Sequence, residues 1–167
     1  MIIGFYGRRG KGKTLSATRL IKAYKEEGYK VFTNTPFKFE HEIITKQMLI
    51  DYYNTDTNFD KAIFFLDEAH MFLDSRRGTS GLSLIITYFV LQTRKRGVKL
   101  IYTTQDKDQV DKRLRQQTEV DVYCDIHDYK GKKVIQNDIH EGEVFKKRLF
   151  FIADDYYDMY DTTKLIK

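Results

Sequence analysis

The sequence predicts an α/β fold, a mostly parallel sheet flanked by helices with antiparallel strands at its C-terminal end. Three observations point there. The apolar runs IIGFY (2–6), KAIFFL (61–66) and VKLIYT (98–103) are continuous rather than alternating, as in strands buried on both faces. Helix-patterned segments separate them. Near residue 120 the texture changes to VDVYCDIHDY, KKVIQNDIH and VFKKRLFFIAD, joined only by Lys130-Gly131 and Glu141-Gly142. Such short turns suit antiparallel hairpins, and strand–helix alternation followed by a β meander gives a mixed sheet.

The elements can be read in order. After IIGFY, the segment GRRGKGKT breaks the apolar pattern. From Leu15 the spacing turns helical, placing Leu15, Ala17, Leu20, Ile21 and Tyr24 on one face. Gly28 stands where a helix C-cap would, and YKVFT (29–33) reads as the second strand. Residues 34–60 contain Pro36 and are the least legible, with a short helix predicted around Thr45–Tyr53. Residues 74–81 (DSRRGTSG) read as a loop. A helix over 82–96 is closed by Arg94-Lys95-Arg96 and Gly97, where cations complement the helix dipole. The strand 98–103 ends at Thr104-Gln105, and a further helix is predicted over 108–117. The closing YYDMYDTTKLI reads as ordinary packing, or as contact with a neighbouring subunit.

At 167 residues the chain fits one domain, and 41% hydrophobic with 14% aromatic residues excludes disorder. No apolar run approaches the roughly 18 residues that cross a bilayer. The apolar start is too short for a signal peptide and reads as a buried strand. The single cysteine, Cys124, cannot form an internal disulfide, so a cytoplasmic location is expected, that of a host cell for a viral chain, with virion association as a variant. Lys and Arg exceed Asp and Glu by 29 − 24 = +5, which suits a polyanionic partner without requiring one. His41, His127 and His140 lack zinc-site spacing, and His70 reads as a surface or supporting histidine.

The chemistry is concentrated in two segments. Gly7-Arg8-Arg9-Gly10-Lys11-Gly12-Lys13-Thr14 fits the phosphate-loop template G-x-x-x-x-G-K-[ST] at every fixed position, with Leu15 continuing into the helix. The glycines let backbone amides curl around phosphate oxygens, and the helix start favours an anion. Lys13 is placed to reach the β- and γ-phosphates of ATP, and the Thr14 hydroxyl to ligate Mg²⁺. Arg8, Arg9 and Lys11 face solvent, triphosphate or a neighbouring subunit, with solvent the default.

The strand KAIFFL ends in Asp67-Glu68, the expected acidic site, on a strand expected to lie beside the phosphate-loop strand. Asp67 would hold Mg²⁺ through water, and Glu68 would act as general base on the attacking water. Gln105, at the end of the next strand, is placed to hold that water or sense the γ-phosphate.

With these positions marked, the chain resembles the additional-strand, RecA-like P-loop ATPases. Within them it resembles the FtsK–HerA superfamily, and there the zonula occludens toxin-like and viral genome-packaging group. The resemblance rests on FYGRRGKGKTLSA, VFTNT, IFFLDEAHMFLDSRR, a helix ending in TRKRG, and KLIYTTQDKDQVDKRLR, covering roughly residues 1–125. It implies a nucleotide-binding core over 1–125 with a β extension over 126–167. It also implies a homo-oligomer, commonly a hexameric ring, acting on double-stranded DNA or assembling virions, with a virion or membrane partner in the second case. Ring motors of the group complete the site with an arginine from the adjacent subunit. Arg113 and Arg115 are the preferred candidates here, ahead of Arg94, Arg96, Arg76 and Arg77. A basic loop at 75–81 would contact DNA phosphates. Toxin-like members carry a membrane span after the ATPase domain that this sequence lacks, which shifts weight towards packaging. A nucleoside kinase and an ATP-dependent assembly protein remain the competing readings.

Overall fold

The computed structural model describes residues 1–55, 58–71, 88 and 91–160. Among them, in chain order, are strand β1 (Ile2–Tyr6), helix α1 (Lys13–Glu26), strands β2 (Lys30–Thr33) and β3 (Glu42–Ile43) and helix α2 (Lys46–Tyr53). There follow β4 (Ala62–Leu66), β5 (Val98–Thr104), helix α3 (Lys112–Gln117), β6 (Val120–Tyr129), β7 (Lys132–Glu141) and β8 (Val144–Ile152). The strands form one sheet in the order β3-β2-β4-β5-β1-β6-β7-β8. Pairings from β3 through to β6 are parallel, whereas β6–β7 and β7–β8 are antiparallel.

The continuous apolar runs are explained by burial on both faces. In β4, Phe64 and Leu66 join Ile2, Tyr6, Leu100 and Tyr102 in a core closed by Leu49 of α2 and Leu114 of α3. The alternate residues Ile63 and Phe65 join Ile3, Phe5 and Ile101 in a second core, against Ala17 and Ile21 of α1. The first core contains a buried polar pair. Tyr6 Oη and Tyr102 Oη lie 2.6 Å apart, and Tyr102 Oη is 2.9 Å from Thr118 Oγ1. Gly4 makes room for it, because a Cβ there would meet the Tyr6 phenol and lie 2.7 Å from Tyr102 Oη.

Four features depart from the sequence reading. The acidic strand β4 does not pair with β1, because β5 is inserted between them. This inserted strand is the arrangement of the additional-strand class. The 108–117 helix is broken: a 3-10 turn at Lys107–Gln109 precedes an extended, fully buried Val110, and α3 begins only after Asp111. Asp106 and Asp111 each accept a backbone amide, from Asp108 and Arg113, and so start separate turns. The edge strand β3 lies in the illegible 34–60 region, where two residues carry no periodic signal. The VFKKRLFFIAD strand stops at Ile152, and Ala153–Asp155 turns into a 3-10 helix.

The helix expected over 82–96 falls mostly outside the described residues. Its end is closed at Gly97 (φ 73°) as expected, but Thr93–Arg96 forms a 3-10 turn rather than the end of an α-helix. Arg96 has a structural use, donating to the carbonyl oxygens of Tyr52 (2.6 Å), Tyr53 (3.3 Å) and Thr55 (2.7 Å) at the end of α2.

Candidate nucleotide-binding site

The loop 7–12 leaves the C-terminal end of β1 and enters α1. Gly12 is the N-cap of that helix, in the left-handed region at φ 81°, and a Cβ there would run into the Ile135 side chain of β7. A Cβ on Gly7 would lie 2.7 Å from the Cys124 carbonyl oxygen of β6. The antiparallel strands therefore press the loop into shape. A hydrogen bond of 2.9 Å from Ser16 Oγ to Asn137 Oδ1 ties α1 to β7 beside it. No side chain caps the amides at the start of α1, and its first turn holds no acid. Uncapped amides at the positive end of a helix dipole make an anion site. Lys13 stands over them, only 5% exposed, its ammonium donating to the Arg8 carbonyl oxygen at 3.3 Å.

Asp67 closes β4 at the same mouth. Its Oδ1 accepts hydrogen bonds from Thr14 Oγ1 (2.8 Å) and Thr103 Oγ1 (2.6 Å), and its Oδ2 accepts one from Thr35 Oγ1 (3.4 Å). The Asn34 amide clamps the backbone, donating to the Asp67 carbonyl oxygen at 2.9 Å and accepting from its N–H at 2.8 Å. Burial raises the Asp67 carboxyl above the usual range, against the lowering effect of the Thr103 and Thr14 hydroxyls and the Lys13 charge. A carboxylate and a threonine hydroxyl side by side form an oxygen donor set that fits Mg²⁺.

Glu68 adopts φ 49°, its N–H donating to Thr103 Oγ1 at 2.9 Å, and it lines the cleft. Its Oε2 is 3.4 Å from His70 Nδ1; both atoms are buried and neither makes a hydrogen bond among the described residues. His70 thus sits against the expected base.

The cleft measures about 320 Å³, and Arg9, Gly10, Gly12, Lys13, Thr14 and Leu15 line it. Of the three surplus loop cations, Arg9 faces it, while Lys11 pairs with Asp125 at 2.6 Å and Arg8 borders a separate hollow over β6–β7. Gln105 is exposed directly after β5 and does not line the cleft. Arg115 is ion-paired with Asp108 of its own chain. Arg113 is exposed, its guanidinium 5.9 Å from the Tyr88 ring. The Arg94 side chain, Arg76, Arg77 and the 75–81 loop lie outside the described residues.

The pairing of a phosphate loop with a buried acid across an inserted strand agrees with a sequence-level match. The family model of the ATPase family associated with various cellular activities (AAA) covers residues 3–126. The chain belongs to the AAA family. It is a nucleotide-binding ATPase, and the matched stretch includes the loop 7–14 and Asp67. No curated protein matches the AAA chain significantly.

Among solved structures, its fold is similar to the N-terminal domain of zonular occludens toxin from Neisseria meningitidis. That match has a TM-score of 0.67 and 19% identity, over 96% of this chain and 98% of the other. It is also similar to the genome packaging NTPase B204 from Sulfolobus turreted icosahedral virus 2 in complex with ATP-gammaS (TM-score 0.56, 13% identity, 84% and 96% covered). The flagellar accessory protein FlaH from Methanocaldococcus jannaschii shares the fold too (TM-score 0.55, 12% identity, 90% and 84% covered). No helix among the described residues is long and apolar enough to cross a membrane.

Sequence reading missed Asn34, Thr35 and Thr103 as supports of Asp67. Their signal is weak but present: polar residues directly after or within strands otherwise filled with apolar side chains. It also assigned no site role to Tyr157 and Tyr160, which line the cleft.

Proposed function

We propose that this AAA ATPase is a Mg-ATP-hydrolysing motor that moves double-stranded DNA, packaging a viral or mobile-element genome from the cytoplasm as a homo-oligomeric ring. The observation that carries the hydrolytic part is the adjacency of two acids in opposite settings. Asp67 is sunk among the hydroxyls of Thr14, Thr35 and Thr103, and Glu68, at positive φ, lines the cleft.

In this reading the amides of 10–14 and the Lys13 ammonium bind the phosphates, and Thr14 and Asp67 hold the metal ion. Mg²⁺, when bound, neutralises charge on the β- and γ-phosphoryl oxygens. Glu68 takes the proton of the attacking water, and Gln105 orients that water once the ring closes around the nucleotide. Arg113 of a neighbouring subunit meets the γ-phosphate. Arg113 is exposed and has no ion-pair partner among the described residues, which favours it over Arg115, which Asp108 engages.

The DNA part is supported by the fold shared with a genome packaging NTPase and by the net charge of +5. A second reading, ATP-dependent assembly rather than transport, is favoured by the near-complete overlap with the toxin domain. Turnover measured with and without double-stranded DNA separates them. The motor reading predicts stimulation that fades steeply with added salt. Turnover indifferent to DNA, accompanied by ATP-dependent oligomerisation, would establish the assembly reading instead.

A further inference from the structure

After β8 the described residues stay against the molecule. Residues 153–160 run as a strap from the β7–β8 side, past the first turns of α1, to the segment following β2. Its near end is fixed by Arg19, whose guanidinium lies 5.1 Å from the Phe151 ring centre and whose Nε donates to Tyr156 Oη at 3.3 Å. Phe151 and Ala153 pack with Leu15 and Ile135. Its far end is fixed by the Lys38 N–H, which donates to the Met159 carbonyl oxygen at 2.9 Å, and by a bridge between Phe37 and Tyr160.

Anchored at both ends, the strap presents Tyr157 and Tyr160 to the cleft of the phosphate loop, which Ile126 and Ile135 also line. Burial, then the nearby charge of Asp67, pushes the Tyr160 phenol up to about 12, so this ring stands close to the acidic site. Tyr157 is 42% exposed. The cleft is therefore lined by charged and polar groups, among them Lys13, Thr14 and Glu68, and also by aromatic and aliphatic side chains that phosphate does not need.

We propose that the strap makes the nucleobase subsite, with Tyr157 as the ring against which the base packs and Ile126 and Ile135 as further apolar lining. The inference rests on the nucleotide reading of the phosphate loop. A base has apolar faces that gain from a flat aromatic partner, whereas a triphosphate gains nothing there.

Two probes separate the base contribution from the phosphate contribution: Mg-ATP and Mg-tripolyphosphate, which has the phosphates and no base. Tyr157→Ala should weaken Mg-ATP binding roughly tenfold, leave Mg-tripolyphosphate binding unchanged, and be rescued by Tyr157→Phe. Equal affinity of the unaltered protein for both probes, or unchanged Mg-ATP affinity in Tyr157→Ala, overturns the base subsite while leaving the phosphate site standing. Failure of the unaltered protein to bind either probe overturns the nucleotide reading itself.

Discussion

Asp67 and Glu68 are chemically alike and one bond apart in sequence, yet the fold gives them different surroundings. Asp67 is 5% exposed and accepts three hydroxyl hydrogen bonds, a setting for a fixed ligand. Glu68 has a carboxylate oxygen without a hydrogen-bond partner among the described residues, a setting for an acceptor of protons. Its left-handed backbone costs on the order of 1–2 kcal/mol in a non-glycine residue, and strain of that kind is retained where it aims a side chain. Glu68→Gln keeps the shape and removes the basicity. Turnover should fall by roughly 10²–10⁴ while Mg-ATP affinity, read by calorimetry, stays near that of the unaltered protein. Retained turnover would show that Glu68 does not take the proton. At this scale the sequence was most legible where the chemistry is local. The phosphate loop is eight consecutive residues, whereas Thr35 and Thr103 reach Asp67 from 32 and 36 positions away. A pairing across that separation leaves no spacing to read.

Among the elements, strands buried on both faces announced themselves by unbroken apolar runs, and the meander announced itself by its turns. Sheet order did so only through the resemblance to the additional-strand class. Periodicity and composition in β4 and β5 do not place β5 between β4 and β1, because both are short apolar runs and either could neighbour β1. The 108–117 helix was misread because its polar residues are helix-compatible, while burial of Val110 and the two aspartate caps interrupt it. Arg96 shows the same limit, since its cap on α2 spans more than forty positions. A close contact inside the sheet gives a stability prediction. Gly4→Ala puts a methyl group into the Tyr6–Tyr102 phenol pair at the centre of the sheet. It should destabilise the protein by about 1–3 kcal/mol, the cost of overfilling a packed core. The denaturant midpoint would shift accordingly with an unchanged slope. An unshifted midpoint would mean that β1 has room the pair does not fill.

Taken whole, the molecule lines its cleft from segments far apart in sequence. The loop after β1 supplies charge, and the β6–β7 strands and the strap 153–160 supply the apolar walls. That second contribution was invisible in the sequence, because the aromatic residues of YYDMYDTTKLI carry the same pattern whether they fill a core or line a site. Everything proposed about water activation, ring partners and DNA depends on whether the cleft grips a triphosphate through Lys13. Equilibrium binding of Mg-ATP to the unaltered protein and to Lys13→Ala tests this most directly. The account predicts saturable, magnesium-dependent binding that Lys13→Ala abolishes while the fold, followed by circular dichroism, is kept. Equal binding by both proteins, or none by the folded unaltered protein, would contradict it.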